Sequence, residues 1–292
     1  DFFREGGFNK IRGVLDPKGK LIGWDEHLIR ASYPGKPGFL TGPWPSAFPF
    51  NSVDNVRASL STFRVDTPTG AWRAPYSNTH AFVSQSFIHE LATEANRDHL
   101  EFLLEMMGDP RWLSPGQINA LNTERAIGVL KKVAREAQLQ STPARNNRGL
   151  GLAFYFCHAA HVAEVADVTV TQANEIIVNK VTAAVDVGPI INMSGALNQV
   201  EGSIMDGLST MVGQKITMEN GRIEQTNLDK YPVLRINAAP DIEVHFIESD
   251  YDPTGLGEPA LPPLAPAIAN AIFAATGARV RTMPLTDLGY TI

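Results

Sequence analysis

One carboxylate, Glu258, stands in the run Gly255-Leu256-Gly257-Glu258-Pro259, directly ahead of the apolar stretch ALPPLAPAIANAIFAATG. A surface carboxylate needs no such setting. A catalytic one has a use for it, because burial raises a carboxyl's pKa and makes it an effective base near neutral pH. The competing reading is structural: Glu258 precedes a helix and gains a little from the positive end of its dipole. On these residues alone the structural reading is the simpler one. Two other stretches hold polar groups in constrained settings. Residues 67–92 lead through Gly70, Ala71 and Trp72 to Arg73, which falls in a bend before Pro75 and a helix. A guanidinium there can meet an anion while nearby backbone N–H groups point outward, although it could equally be a turn arginine in water. Residues 196–211 carry Gln199 and Gly202 at the start of another helix. Gly202 leaves room for a close approach to the backbone, against the plainer reading of a polar first turn.

Other constellations carry less. Cys157, His158, His161 and Glu164 lie within eight residues. If that stretch is a strand, as its Val-rich and Ala-rich surroundings predict, His158 and His161 face opposite sides, whereas a zinc site needs convergent ligands. Gly255-Leu256-Gly257 lacks the third glycine and the preceding strand of a dinucleotide fingerprint. No Gly-x-Ser-x-Gly elbow or phosphate loop occurs, so nothing points to a serine hydrolase or a nucleotidase.

The elements that must position these groups are legible from periodicity. Residues 6–15 and 20–30 flank Asp16-Pro17-Lys18-Gly19 and predict a hairpin. Residues 33–52, dense in Pro and Gly, read as an irregular surface segment, and 55–67 as a strand. Val83, Phe87, Leu91 and Ala95 step by four, with Ile88 and Ala92 beside them, and mark a helix from 79 on. Further helices are predicted at 98–107 and 123–138, then a polar linker at 139–148. Residues 149–187 predict two or three strands, and Leu197, Val200, Ile204, Leu208 and Met211 a helical stripe. Asn220-Gly221 is a tight-hairpin signal, 241–247 alternates as a strand, and a helix over 264–276 ends at Gly277, before a closing strand. The order is that of an α+β chain without a βαβ repeat.

Composition narrows the class. The 292 residues are 43% hydrophobic and 19% charged, with a formal net charge of -6, which provides a real core and no basic face for nucleic acid. The lone cysteine, Cys157, excludes an internal disulfide framework. Pro262, Pro263 and Pro266 interrupt the one long apolar run, leaving about eleven helical residues where a bilayer needs about twenty. The N-terminal DFFREGGFNKIRG has no initiator Met and no signal-peptide pattern.

Together, Gly70-Ala71-Trp72-Arg73, FIHELA, AAVDVG (183–188), QVEG (199–202), DKYPVLRINAAPDIEVHFIES (229–249) and GLGEP with the PPLAPAIANAIFAATGARVR that follows resemble the molybdenum-cofactor subunit of the xanthine dehydrogenase/aldehyde oxidase family, in particular the branch formed by isoquinoline 1-oxidoreductase β-subunits. The resemblance implies an α+β molybdopterin-binding fold with mixed sheets and packed helices. Residues 1–138 would form one partial subdomain and 149–292 a second. It implies a hydroxylase of aldehydes or N-heteroaromatic rings that takes its oxygen from water. Glu258 corresponds to the family's catalytic base, held in a dry pocket by Gly257 and Pro259. Gln199 corresponds to a residue that hydrogen-bonds the cofactor, Gly70 to Arg73 to the loop lining the metal site, and Gly202, Gly255 and Gly257 to cofactor-binding positions. The implied cofactor is molybdenum–molybdopterin, with its cytosine dinucleotide form as a candidate. The implied partners are the N-terminal part of the large subunit, a small subunit carrying [2Fe–2S] clusters and a cytochrome c acceptor, with the periplasm favoured. A non-catalytic folded module that binds only protein is the alternative. His89, Met193-Ser194 after Asn192, and His99 after Asp98 depart from the family pattern and loosen the substrate assignment.

Overall fold

A computed structural model describes residues 3–32, 46–117, 120–140 and 147–292. Most of the expected irregular segment at 33–52 and of the linker at 139–148 lies outside the described residues. Strands β1 (Gly7–Leu15) and β2 (Leu21–Ser32) form the expected hairpin, closed by Gly19 at φ 78° and by Asp16, whose carboxylate accepts from the N–H groups of Lys18 and Lys20. Strand β3 (Asn55–Arg64) ends three residues before the predicted limit and pairs parallel with β2. Its pairing comes from outside its own sequence.

Strands β4 (Arg148–Cys157), β5 (Ala160–Val170) and β6 (Ile176–Asp186) form an antiparallel meander, and β9 (Asp241–Phe246) adds parallel to β6. Between them Asn220 and Gly221, both left-handed, join the short pair β7 (Met218–Glu219) and β8 (Arg222–Ile223). Side chains of the four-stranded sheet alternate between two cores. Val162, Ala183 and Val185 face helices α4 (Met193–Val212) and α5 (Leu264–Thr276). Leu152, Phe154 and Val165 share a core with helices α1 (Pro75–Glu94), α2 (His99–Met107) and α3 (Thr123–Glu136) and with Trp24 of β2. One apolar core thus joins residues from both sides of the 139–148 stretch. The predicted closing strand is not formed. A short 3-10 turn at Leu285–Leu288 and a single bridge from Thr291 to Glu175 end the chain.

Helix α5 lies unusually close to β4. A Cβ on Gly151 would stand 2.1 Å from the Ala267 carbonyl oxygen and 2.2 Å from the Ala271 nitrogen, and one on Gly149 2.6 Å from the Ala271 oxygen. Asn270 of α5, itself buried, donates through Nδ2 to the Leu152 carbonyl at 3.0 Å. From α1, the buried Gln85 accepts from the Phe154 N–H at 3.1 Å. Two buried amides therefore close the outer edge of β4, which water would otherwise have to satisfy. This explains the Ala and Asn spacing of PAIANAI. It also shows why α1 is only partly amphipathic: its polar residues Asn78, His80, Ser84 and Gln85 are buried as well.

Two consequences can be measured. Gly151→Ala should cost about 3 kcal/mol or more, because the clash is with backbone that cannot yield without moving the helix. Gly255→Ala, at a position with nothing within 4 Å of the added carbon, should stay within about 0.5 kcal/mol; denaturant midpoints compare the two. Glu164 is fully buried on β5 with no hydrogen bond to either carboxylate oxygen among the described residues, and burial pushes its carboxyl well above the ordinary 4.5. The folded protein holds a proton there that the unfolded chain releases, so the cost is absent below the unfolded value and grows as pH rises above it. Glu164→Gln should therefore gain stability over the parent between pH 4 and pH 7, read as a widening gap in melting temperature.

Candidate functional site

Arg73 leaves the loop ahead of α1 and reaches across to two distant parts of the chain. Its Nε donates to the Gly257 carbonyl at 2.7 Å, its Nη1 to Asp206 Oδ2 at 2.7 Å, and its Nη2 to Gln199 Oε1 at 3.0 Å and the Gln199 carbonyl at 3.3 Å. The fixed fork of a guanidinium can meet acceptors in several directions at once, which a lysine cannot. Gln199 and Asp206 lie seven residues apart on α4, two turns up one face, and Gly202 lies between them. A Cβ on Gly202 would stand 3.7 Å from Arg73 Nη1, an ordinary contact. What approaches Gly202 is this guanidinium, and it does not require a glycine.

Glu258 lies beside this hub. Its Oε1 accepts from the Ala74 N–H at 3.1 Å and its Oε2 faces His158 Nε2 at 3.0 Å. Ala74 is the N-cap position of α1, in the left-handed region (φ 53°, ψ 60°), and makes no side-chain cap of its own. That conformation is costly for alanine, and more so before a proline; here it aims the N–H at the carboxylate. Glu258 does sit at a helix N-terminus, but at that of α1, 184 residues away in sequence, and not of α5, whose entry it precedes. Among the described residues nothing closes the expected dry pocket over Glu258, whose side chain is 35% exposed. Its loop lies at the surface, and both oxygens are turned to N–H donors at the α1 and β4–β5 ends of the sheet.

His158 does not lie in a strand. With Ala159 it forms the two-residue turn between β4 and β5, both at positive φ (51° and 61°), and it is half exposed. His161 points instead into the core, where its Nε2 accepts from the Asn122 N–H at 3.1 Å; burial holds it down to about 3. Cys157 is buried and its thiol is pushed up to about 12, mainly by that burial. Among the described residues no group of three His, Cys, Asp or Glu side chains could hold a metal ion.

The other expected positions separate. Gly70 donates its N–H to the Phe3 carbonyl at 3.0 Å and Ala71 is exposed. Trp72 turns to the opposite side of its loop, where Arg4 stacks 5.2 Å above its ring and both line a cleft of ≈ 630 Å³ with Lys215 and Tyr231. Gly255 and Gly257 stand in open space; Gly257 contributes its carbonyl rather than its lack of a side chain. On the near side of the hub, Gln199, Gly257 and Leu256 line a second cleft of ≈ 420 Å³ that runs to Asn192 and Gly195 at the N-terminus of α4. Its size suits a small organic ligand. Two of the departures noted in the sequence touch one another: the His89 and His99 rings lie 4.7 Å apart, and Arg279 Nη1 is 2.8 Å from His89 Nδ1. Burial first, and Arg279 second, hold His89 down to about 4.

Asp206 and Ala74 are not anticipated by the sequence reading, and His158 is singled out there only as part of a metal cluster, not beside Glu258. Asp206 could have been, as the third polar position on the face that carries Gln199 and Gly202. Ala74 and His158 carry no local signal, since neither alanine before proline nor His-Ala is a favoured left-handed pair.

Residues 49–240 match the family model described as "Molybdopterin cofactor-binding domain". The chain is 30% identical over 95% of its length to the B subunit of nicotinate dehydrogenase from Pseudomonas putida, and 31% identical over 70% of its length to the β-subunit of isoquinoline 1-oxidoreductase from Brevundimonas diminuta. It spans 25% of each of these relatives. Among solved structures it is similar in fold to quinoline 2-oxidoreductase from Pseudomonas putida 86 (TM-score 0.80, 11% identity, 97% of this chain and 61% of that one). It is likewise similar to the aldehyde oxidoreductase of Desulfovibrio desulfuricans (TM-score 0.78, 14% identity, 96% of this chain and 48% of that one).

Arg73→Lys tests the hub. A lysine can satisfy one or two of the four acceptors, so the substitution should cost about 1–2 kcal/mol. It should also raise amide hydrogen exchange at Leu261, whose N–H bonds the Glu258 carbonyl at 3.1 Å, while exchange in β4 and β5 stays slow.

Proposed function

The chain belongs to the molybdopterin cofactor-binding domain family, and on that premise we propose that it forms part of a molybdenum hydroxylase of aldehydes or N-heteroaromatic compounds, with Glu258 as its base. The observation that carries this reading is the meeting of Glu258, Arg73 and Gln199 beside one cleft, from segments 126 and 184 residues apart. When bound, the molybdenum–pterin group supplies a two-electron oxidation with water as the oxygen source. The residues here fit such a group as hydrogen-bond partners. Gln199 Oε1 is engaged by Arg73, which leaves its amide NH2 for a ligand in the cleft, where the first N–H groups of α4 also favour an anion. Arg73 fixes the Gly257 carbonyl and through it the loop that carries Glu258. The carboxylate meets the Ala74 N–H with Oε1 and His158 with Oε2, and its remaining lone pairs are the ones placed to take a proton.

The wider assignment rests on the family resemblance of the sequence motifs; the relatives add only that they are named as subunits. It comprises the cytosine dinucleotide form of the cofactor, the rest of the large subunit, a small subunit with [2Fe–2S] clusters, a cytochrome c acceptor and a periplasmic location. No described helix is long and apolar enough to cross a membrane.

The rival role for Glu258 is a long-range cap of α1, and Glu258→Gln separates the two. Glutamine keeps an oxygen for the Ala74 N–H, so melting temperature and cofactor content of the full-length protein should change little. It cannot accept a proton, and substrate-driven reduction should slow by about two to four orders of magnitude, with reoxidation near normal. Reduction at the parental rate at every pH would leave Glu258 as a cap alone.

A further inference from the structure

Among the described residues the Glu258 carboxylate has two hydrogen-bonding partners, and the proposed reaction uses neither as substrate. One, the Ala74 N–H, is backbone and fixed. The other is His158, whose Nε2 lies 3.0 Å from Glu258 Oε2. His158 occupies the first position of a two-residue hairpin turn that demands positive φ twice in succession, a role filled most comfortably by Asn-Gly. His-Ala fills it here, at φ 51° and 61°. Left-handed backbone in residues other than glycine and asparagine costs of order 1–2 kcal/mol each and concentrates where geometry serves a function. The same holds for Ala74, at φ 53°. Two residues with strained backbone, 84 apart in number, thus meet the two oxygens of one carboxylate, Ala74 through its backbone N–H and His158 through its imidazole Nε2.

Resting on the reading of Glu258 as a base, we infer that His158 is its positioning residue: the imidazole N–H holds the carboxylate plane against the Ala74 N–H. Other charged and titratable groups of the site are committed. Arg73 is tied to Gly257, Gln199 and Asp206, Asp206 to Arg73, and the Cys157 thiol, next in chain to His158, is held protonated by burial. The Glu164 carboxyl and the His161 ring are buried, His161 against α3. The imidazole, half exposed at the tip of its turn, is the one side chain among the described residues within hydrogen-bonding distance of the Glu258 carboxylate.

The experiment uses the full-length protein with its cofactor and three forms: parent, His158→Asn and Glu258→Gln. Asparagine accepts the left-handed turn but is too short to reach Glu258, so melting temperature and cofactor content should hold. We expect kcat for substrate-driven reduction to fall about tenfold to a hundredfold with KM within about twofold, from misorientation of the base. Independently of turnover, the His158 ring signals, followed by NMR in cofactor-free full-length protein, should change position in Glu258→Gln relative to the parent, because the carboxylate oxygen facing Nε2 is replaced. A parental kcat in His158→Asn, or His158 ring signals indifferent to Glu258→Gln, overturns the inference. If Glu258→Gln is slow while His158→Asn is not, only this inference falls. If Glu258→Gln also turns over at the parental rate, the reading of Glu258 as a base falls with it.

Discussion

The near-contact of backbone with backbone between α5 and β4 is the constraint on which the arrangement of this chain rests. With no Cβ at Gly149 and Gly151, and only methyl groups at Ala267 and Ala271, the helix settles against the strand until its own carbonyls are the limiting atoms. Asn270 then reaches the Leu152 carbonyl and fixes the helix along the strand as well as toward it. Once α5 is fixed, the short loop at 255–263 has few places to go. Helix α1 is fixed to the same strand from the other core by Gln85 and by His80, whose Nδ1 pairs with the Tyr155 hydroxyl at 3.0 Å. The first turn of α1 and the loop bearing Glu258 are thus referenced to one strand. Their meeting at Ala74 follows from that common reference.

The charges of the site are distributed in a way that matters for chemistry. Arg73 is the residue next to Ala74, and its Nε binds the carbonyl of the residue next to Glu258, yet it takes two carbonyls, an amide oxygen and Asp206 rather than the Glu258 carboxylate. A bidentate pair between Arg73 and Glu258 would favour the charged carboxylate strongly and remove it as a proton acceptor. Asp206 draws the guanidinium away. The arginine organises the loop through neutral acceptors, and the carboxylate is left to donors of modest strength. Deeper in the fold the opposite arrangement serves structure. Glu26 is buried, which works to raise its carboxyl, but His80, Trp24 and Arg30 outweigh that and hold it below the ordinary range. There the contact of His80 with Glu26, 3.4 Å apart, joins α1 to β2 and is shielded from water.

How much of this can be read from the sequence depends on whether the information is local. The limits of α2 and α5 and the Asn220-Gly221 hairpin follow from apolar spacing, Gly277 and turn chemistry, and they stand within a residue or two of where those signals put them. Helix α4 begins at Met193, four residues before its apolar stripe does, because Asn192 caps it through Gly195. The parallel pairing of β3 with β2 and of β9 with β6 is absent from any window of sequence. Of the site, the three side chains Arg73, Gln199 and Glu258 stand out by residue type and context, and the structure places them together. The family's motifs are needed to weigh them, since each alone is an ordinary polar residue. His158 falls in a turn and not a strand because a Val- and Ala-rich flank does not reveal where a hairpin breaks it. Ala74 cannot be found at all, as its contribution is a backbone direction imposed by its neighbours. The exposure of Glu258 is unreadable for a similar reason: it is decided by what lies opposite the loop, and a loop's own residues do not contain that.

The separation in sequence between the partners at this site has a consequence for how the chain is made. Ala74 and Glu258 are 184 residues apart, so during synthesis α1 exists with an uncapped first turn until the far end of the chain emerges. At ribosomal speeds of about 5–20 residues per second this interval is roughly ten to forty seconds. Throughout it, the strained αL residue at position 74 has no carboxylate to hold it, and β4 has neither Asn270 nor the body of α5 on its edge. Contacts of such span close last and carry most of the loop-closure cost. The candidate site is therefore among the final features of the fold to appear. Its completion marks the point at which α1 and the loop bearing Glu258 have docked, and a ligand that needs Arg73, Gln199 and Glu258 together can bind only after that.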